Sequence, residues 1–355
     1  MNKILIFIIL SIVITTKLNA QRPNTKKLPI PYLQYPSNPI NQNIDAYFSN
    51  IVNNSAVFQP SNGNLILRGY KKVSSLNKAD LEIKFVINNV SFLSKVFKEN
   101  YKKKVNDSTS VTAVGGRYRV DASVNYSEYV TDVKNDKILI SNEGILSSAS
   151  FISNLIKNYR EAVQRHEYNK DREAVRLYVQ IANQSINKFQ TNINDNFGFP
   201  LYYYYMPFAR GKGRKFDYSD LSKSFNNIKN INEIAKNAFS GINSKRYGLN
   251  ESMMEEFNKN INECVHLLEY AIKEYVPRKK RTRIGDKIID HLYLNISAAY
   301  YLKGELTKAY EALSKVKKSK GEIKKAAKFQ SKLKDLENRK NNYNKFLSIN
   351  TSKNN

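Results

Sequence analysis

The chain has 355 residues, of which 41% are hydrophobic, so it can bury one large core or two medium ones. Its 58 lysines and arginines against 31 aspartates and glutamates give a formal net charge of +27, which points toward an acidic partner. Codons rich in A and T also account for this charge, and we favour that explanation because the lysines are spread along the chain. With one cysteine, Cys264, the chain forms neither an internal disulfide nor a thiolate zinc cluster.

Residues 1–20 have the layout of a cleavable secretory signal. Lys3 precedes an apolar run over 4–14 that is too short to span a bilayer comfortably, and Ala20 is a small residue at the expected junction. The ending resembles the signal peptides common in Bacteroidota. We therefore expect cleavage near Ala20 and a product that is periplasmic or secreted, not transmembrane.

Residues 21–56 contain five of the nine prolines among polar side chains, which predicts an extended linker. Apolar and polar residues then alternate in parts of 57–144, as in ADLEIKFVI and RYRVDASVNY, and this period indicates half-buried strands. Turns are expected at 61–64 and 135–136. A short helix is expected over 90–104, where large apolar residues recur along one side. The sequence thus predicts a small α+β domain over 57–144.

Two amphipathic series in residues 145–200 are separated by the polar sequence HEYNKD, which predicts a helical hairpin. Proline and glycine interrupt the pattern in 201–216, where tyrosines stand next to basic residues. Aromatic rings beside cations suit stacking on sugars, bases or peptides, although the tyrosines could instead pack on the core. The candidate binding residues of this loop are Tyr202, Tyr203, Tyr204, Tyr205, Lys212, Arg214 and Lys215.

Residues 217–321 are predicted to form helical hairpins, and the last of them has the most specific pattern in the chain. Apolar residues recur at three- and four-residue steps on both sides of Gly304, whose backbone freedom suits a tight turn. The segment resembles a tetratricopeptide repeat (TPR), whose characteristic positions fall on Tyr293, Ile296, Ser297, Tyr300, Ala309, Leu313 and Gly321. Tyrosine, serine, leucine and glycine there replace the usual tryptophan, glycine, phenylalanine and proline.

The resemblance to TPR proteins implies an array with a concave groove, lined by the first helix of each hairpin, that docks a protein partner. In this chain the implied lining residues are His291, Asn295 and Ala298. An ordinary αα-hairpin of a helical bundle is the alternative, and it has the same local shape.

The loop before this hairpin contains the densest basic run of the chain, which is either a binding patch or a solvated connector. Its residues are Arg278, Lys279, Lys280, Arg281 and Arg283. A narrow apolar stripe predicts a C-terminal capping helix over 322–348, and 349–355 is expected to be a disordered tail.

These patterns predict an α+β fold class, with a small N-terminal α+β domain followed by an all-α TPR-like helical-hairpin array. We expect a non-catalytic scaffold that docks a protein partner in the cell envelope. The first alternative is a binder of an anionic polymer or glycan that uses the 201–216 loop and the 278–283 run. An enzyme of an unrecognised family is the second, although no P-loop, GxSxG or GxGxxG motif is present. No cofactor is predicted, and the oligomeric state stays open.

Overall fold

The computed structural model describes residues 24–40, 43–55, 65–105, 109–210, 216–238, 251–278 and 282–353. The predicted signal sequence and the turn at 61–64 lie outside these residues. The described chain divides into two units. The helical unit contains the described parts of 1–34, 201–241 and 247–340, and the sheet unit contains those of 35–200 and 341–355.

The described residues contain seven strands and six α-helices. The strands are β1 (Thr25–Leu33), β2 (Ala46–Asn53), β3 (Lys71–Lys72), β4 (Leu81–Lys104), β5 (Ser110–Asp132), β6 (Lys137–Ile152) and β7 (Leu201–Ala209). The α-helices are α1 (Tyr159–Asn196), α2 (Ser219–Ala238), α3 (Glu251–Lys273), α4 (Asp286–Lys303), α5 (Leu306–Ser314) and α6 (Lys320–Lys353). A short 3-10 helix spans Leu76–Lys78.

Five strands form the sheet of the sheet unit, in the order β3-β2-β4-β5-β6. The β4–β5 and β5–β6 pairs are antiparallel, while β2 is parallel to both of its neighbours. Alternate residues of β4 and β5, such as Phe85 and Val124, are fully buried, which confirms the strands predicted from the alternating pattern. The turn predicted at 135–136 is also confirmed, because Asp132 pairs with Lys137 across it.

The helix predicted over 90–104 is wrong, because these residues are the second half of β4. Val90 faces Val124 of β5, and the pairing continues without interruption to Lys104 opposite Ser110. The spacing of the large apolar residues fits a helix, but β-branched and aromatic side chains also suit a strand. Pairing with β5 along the whole segment decides between the two.

The helical hairpin predicted over 145–200 is wrong at its start and at its turn. Residues 145–152 belong to β6, and α1 is one helix of 38 residues that runs through HEYNKD. That sequence is polar but contains neither proline nor glycine, and ion pairs one turn apart, such as Arg165 with Glu161, support the helix. The Asn158 side chain caps its start by accepting the Arg160 N–H at 2.9 Å.

Gly115 and Gly116 allow the chain that leads into α1 to cross closely over β5. A β-carbon at Gly115 would lie 2.5 Å from the carbonyl oxygen of Ile156, and one at Gly116 would lie 2.8 Å from the Ala162 β-carbon. Both distances are shorter than van der Waals contact. A side chain at either position would therefore push α1 away from the sheet.

The helical unit contains a two-stranded antiparallel ribbon, β1 with β7, whose pairing runs from Thr25–Ala209 to Leu33–Leu201. The predicted linker over 21–56 is therefore wrong, since it contains β1 and β2, and most of the predicted 201–216 loop is β7. In a two-stranded ribbon, every second residue of each strand points its backbone N–H away from the partner strand. Proline, which has no N–H, is tolerated at these positions.

An all-α array of TPR-like repeats is also wrong for the C-terminal half. Ile30 of β1 and Phe208 of β7 are fully buried in the same core as the helices, so the ribbon is an integral layer of this unit. The hairpin at Gly304 is present, but its second helix, α5, has only nine residues. The predicted capping helix is present as α6, which continues to Lys353, so a disordered tail is wrong for 349–353, while 354–355 lie outside the described residues.

Candidate functional site

Helices α3, α4 and α5 surround an open groove of about 470 Å³ on the helical unit, which we call the hairpin groove. Its volume falls within the range of ordinary ligand pockets. It has an apolar floor and a charged rim. The lining residues are Glu269, Ile272, Lys273, Tyr293, Ile296, Tyr300, Lys308, Glu311, Ala312 and Lys315.

The turn at Gly304 holds two sides of the groove together. Gly304 has a φ of 84°, and its N–H donates to the Tyr301 carbonyl at 2.9 Å. The Glu305 N–H donates to the Tyr300 carbonyl, also at 2.9 Å, which completes a Schellman motif. The motif turns the chain so that Lys308 Nζ of α5 lies 5.5 Å from the Tyr300 ring centroid on α4, within cation–π range.

Helix α3 is joined to this hairpin by a hydrogen bond across the groove. The Tyr300 hydroxyl donates to Glu269 Oε1 at 2.5 Å. Burial raises the pKa of Tyr300, and the hydrogen bond to the Glu269 carboxylate raises it further. Tyr300 therefore stays protonated at neutral pH, and its hydroxyl forms the hydrogen bond that joins α4 to α3.

The lysines on the rim differ in their pairing. Lys308 forms an ion pair with Glu305 at 2.8 Å, as well as its contact with Tyr300. Lys273 and Lys315 are exposed, and neither forms an ion pair with any other residue that the structure describes. Lys273 and Lys315 are therefore the rim cations available to an acidic group.

The end of the hairpin is fixed by Asp290, which is only 1% exposed. Its carboxylate accepts the backbone N–H groups of Lys317, Lys318 and Ser319 at 3.1, 2.7 and 2.6 Å. These three donors lie in the segment between α5 and α6, so the buried Asp290 carboxylate is satisfied by the backbone just before α6. This arrangement fixes the chain that follows Lys315 on the rim.

The groove residues implied by the TPR resemblance are not in this groove. Asn295 and Ala298 are fully buried. The Asn295 side chain donates to the Pro207 carbonyl at 2.7 Å and accepts the Ala209 N–H at 3.0 Å, so it pairs with the backbone of β7. His291 lies beside Glu322, with Nδ1 3.5 Å from Oε2. The β7 strand covers the face of α4 near Asn295 that a TPR array would leave open.

The tyrosines of the predicted aromatic loop alternate along β7. Tyr202 contacts the Tyr32 ring at 5.8 Å between centroids, and Tyr204 contacts Phe329 at 4.9 Å. Tyr203 is half-buried, and Tyr205 is 65% exposed. Four adjacent tyrosines therefore do not form one stacking surface, because neighbouring side chains of a strand point to opposite faces. Lys212, Arg214 and Lys215 lie outside the described residues.

The basic run before α4 is also divided. Arg278 is exposed and has a φ of 61°. Its backbone N–H donates to Asp286 Oδ2 at 3.3 Å. Lys279, Lys280 and Arg281 lie outside the described residues. Arg283 is mostly buried, and its guanidinium is bound by the carboxylates of Asp220 and Glu274. Arg283 is therefore part of the framework of the helical unit and is not a free cation.

A second open cavity, of about 540 Å³, lies in the sheet unit beside the start of β6. Its amide side chains bond to one another: the Asn38 side chain donates to Asn196 at 2.5 Å, and Asn196 donates to Asn192 at 2.7 Å. These bonds engage amide groups of Asn38, Asn192 and Asn196 within the sheet unit.

Sequence analysis identified the α4 residues Tyr293, Ile296 and Tyr300 as part of a hairpin but missed the α3 and α5 sides of the groove. The α5 side carries a polar stripe with helical steps of three and four residues, formed by Lys308, Glu311 and Lys315. This stripe is the sequence signal from which the α5 side of the groove could have been predicted. Which part of α3 faces the stripe depends on tertiary packing.

Comparison with protein-family models gave no match to this chain, and comparison with curated proteins gave no significant match. Among the described residues, no group of three or more histidines, cysteines, aspartates and glutamates is arranged to hold a metal ion. No helix in the described ranges is both long enough and apolar enough to cross a membrane.

Proposed function

We propose that this protein is a non-catalytic binding protein whose helical unit docks a protein partner in the hairpin groove. The observation that carries the proposal is an accessible apolar floor beside two lysines, Lys273 and Lys315, that have no ion pair among the described residues. Surface that is both apolar and incompletely neutralised is typical of a recognition site.

The chemistry of the groove selects the kind of partner. Ile272, Tyr293 and Ile296 offer apolar contact on the floor, and the groove is large enough for only a few side chains. A partner segment that inserts one or two apolar side chains and carries aspartate or glutamate on both sides of them fits this site. The acidic residues would face Lys273 and Lys315 and would fix the direction of the segment.

Contacts in the helical unit do not favour the anionic-polymer or glycan alternative, because Arg283 is bound internally and the tyrosines of β7 point to opposite faces. Polymer binding also predicts a distinct salt response. Six to ten phosphate contacts would lose roughly 10³ to 10⁵ in affinity between 50 and 200 mM salt, whereas binding through an apolar floor should lose far less.

The experiment is a pull-down from a cell-envelope fraction followed by affinity measurement with the recovered partner. Reversing the charges of two rim lysines, Lys273→Glu with Lys315→Glu, should lower the affinity about tenfold or more, because acidic partner groups would then face like charges. The matched control is Lys324→Glu with Lys328→Glu, which makes the same charge change at exposed positions of α6. A partner that loses affinity equally with both double variants, or whose affinity collapses with salt, would refute docking in the hairpin groove.

We also propose that residues 1–20 direct export and that the mature chain begins near Gln21, so that the partner is met in the periplasm or outside the cell. N-terminal sequencing of protein isolated from the envelope fraction and from the medium should begin at or near Gln21. A chain that retains Met1 in those fractions would contradict the cleavage.

A further inference from the structure

The two edges of the five-stranded sheet are protected very differently. One edge is β3, which has only two residues, Lys71 and Lys72. A very short edge strand with lysines is a common protection against pairing with another chain. The other edge is β6, which has 16 residues and no proline. Among the residues that the structure describes, β5 is the only strand that pairs with β6.

The second half of β6 is regular and uncharged. Residues 145–152 pair one by one with Tyr126 to Arg119 of β5 without a register shift. Ala149 and Phe151 pack toward the core. The opposite face carries two exposed apolar side chains, Leu146, which is 68% exposed, and Ile152, which is 50% exposed. A long edge strand with exposed apolar side chains readily pairs with another strand.

We propose that residues 146–152 of β6 pair antiparallel with the same residues of a second copy, so that two sheets join edge to edge into a two-fold symmetric dimer. The pairing would supply partners for the N–H and C=O groups on the outer side of β6. It does not depend on the proposed function of the hairpin groove, because it involves only the sheet unit.

Self-complementarity of the strand identifies the occupant and the register. In a two-fold antiparallel pair, opposite residues lie on the same face of the sheet, so an even residue must face an even one. With Ala149 on the symmetry axis, Leu146 faces Ile152 of the second copy, and Ser148 faces Ser150. In this register each dimer contains two Leu146–Ile152 pairs, so the exposed apolar side chains of both copies are covered. Because residues 145–152 carry no charge, no like charges lie directly opposite one another in this strand pair.

Sedimentation velocity of the full chain over a range of concentrations tests the proposal. The wild-type protein should dimerise, and Leu146→Lys or Ile152→Glu alone should weaken the dimer about tenfold, because each change removes two symmetry-related cross-strand pairs. The double variant should recover most of this loss, since the introduced lysine of one copy would then face the introduced glutamate of the other. Such recovery is specific to the proposed register.

The control is Leu93→Lys, which changes a 74% exposed leucine on the same face of the sheet but in β4, two strands from the edge. It should leave the dimer unchanged. Thermal melting of every variant checks that the fold is retained, as is expected for exposed positions. A wild-type chain that sediments as a monomer throughout, or a dimer that responds alike to all variants, would overturn the proposal.

Discussion

Replacing Arg283 with methionine should destabilise the helical unit by about 3 kcal/mol, because it leaves two carboxylates without their cation. The guanidinium binds Asp220 through two hydrogen bonds of 2.7 and 2.9 Å and Glu274 through two of 2.5 and 2.7 Å. A further N–H reaches the Asp217 carbonyl at 3.2 Å. All of these groups belong to the helical unit, in which Arg283 connects the start of α2 with the end of α3.

The magnitude follows from burial. The Arg283 and Asp220 side chains are 16% and 15% exposed, so the loss of one partner leaves a poorly solvated charge. Glu274 is 34% exposed, and screening by water keeps the expected cost at the lower end of the range for buried ion pairs. Burial alone would lower the pKa of Arg283, but its hydrogen bonds with Glu274 and Asp220 raise it, so the cation is retained.

Urea unfolding at neutral pH measures this effect. Arg278→Met makes the same chemical change five residues earlier at an exposed side chain, and it should cost less than about 0.5 kcal/mol. Arg283→Lys should recover only part of the stability, because an ammonium group cannot form two parallel bonds with each carboxylate. Equal unfolding midpoints for Arg283→Met and Arg278→Met would contradict the role assigned to Arg283.

Local patterns were sufficient to predict parts of the fold whose burial follows a simple period. The first half of β4 alternates between buried residues such as Leu81 and Ile83 and less buried ones, and the strand was predicted from that alternation. The α4–α5 turn was also predicted, because glycine between two apolar helical series is a strong local signal. In both cases the decisive residues are neighbours in the sequence.

The β1–β7 ribbon could not be predicted in this way. Thr25 pairs with Ala209, which is far away in the sequence. Pro29 and Pro31 led to the prediction of a linker where β1 lies. Only the pairing shows that these prolines lie in a two-stranded ribbon, in which the outer side of β1 needs no N–H donor. The ribbon also explains why the TPR resemblance gave the wrong groove residues, because Asn295 is occupied by the backbone of β7.

Much of the candidate site depends on such distant contacts. Glu269 and Tyr300 are more than thirty residues apart, and nothing in the local pattern of α3 shows that Glu269 accepts a hydrogen bond from α4. The role of Asp290 is similar, since its backbone partners begin at Lys317. A helical period identifies the buried face of a helix but not which polar neighbour lies across the packing interface.

Gly304→Pro should cost about 3 kcal/mol or more and should abolish binding in the hairpin groove. Proline cannot adopt the φ of 84° found at Gly304, and it lacks the N–H that donates to the Tyr301 carbonyl. Gly304→Ala retains the N–H and should cost about 1–2 kcal/mol from the left-handed backbone alone. Lys303→Ala removes only a partly exposed ion pair with Glu305 and should cost less than about 1 kcal/mol.

Thermal melting of the three variants should therefore show the largest loss for Gly304→Pro, a smaller one for Gly304→Ala and the smallest for Lys303→Ala. Only proline loses both the backbone angle and the hydrogen bond that bring Lys308 against Tyr300. If Gly304→Pro and Lys303→Ala melted at the same temperature, the Schellman turn would not be what holds the two sides of the groove together.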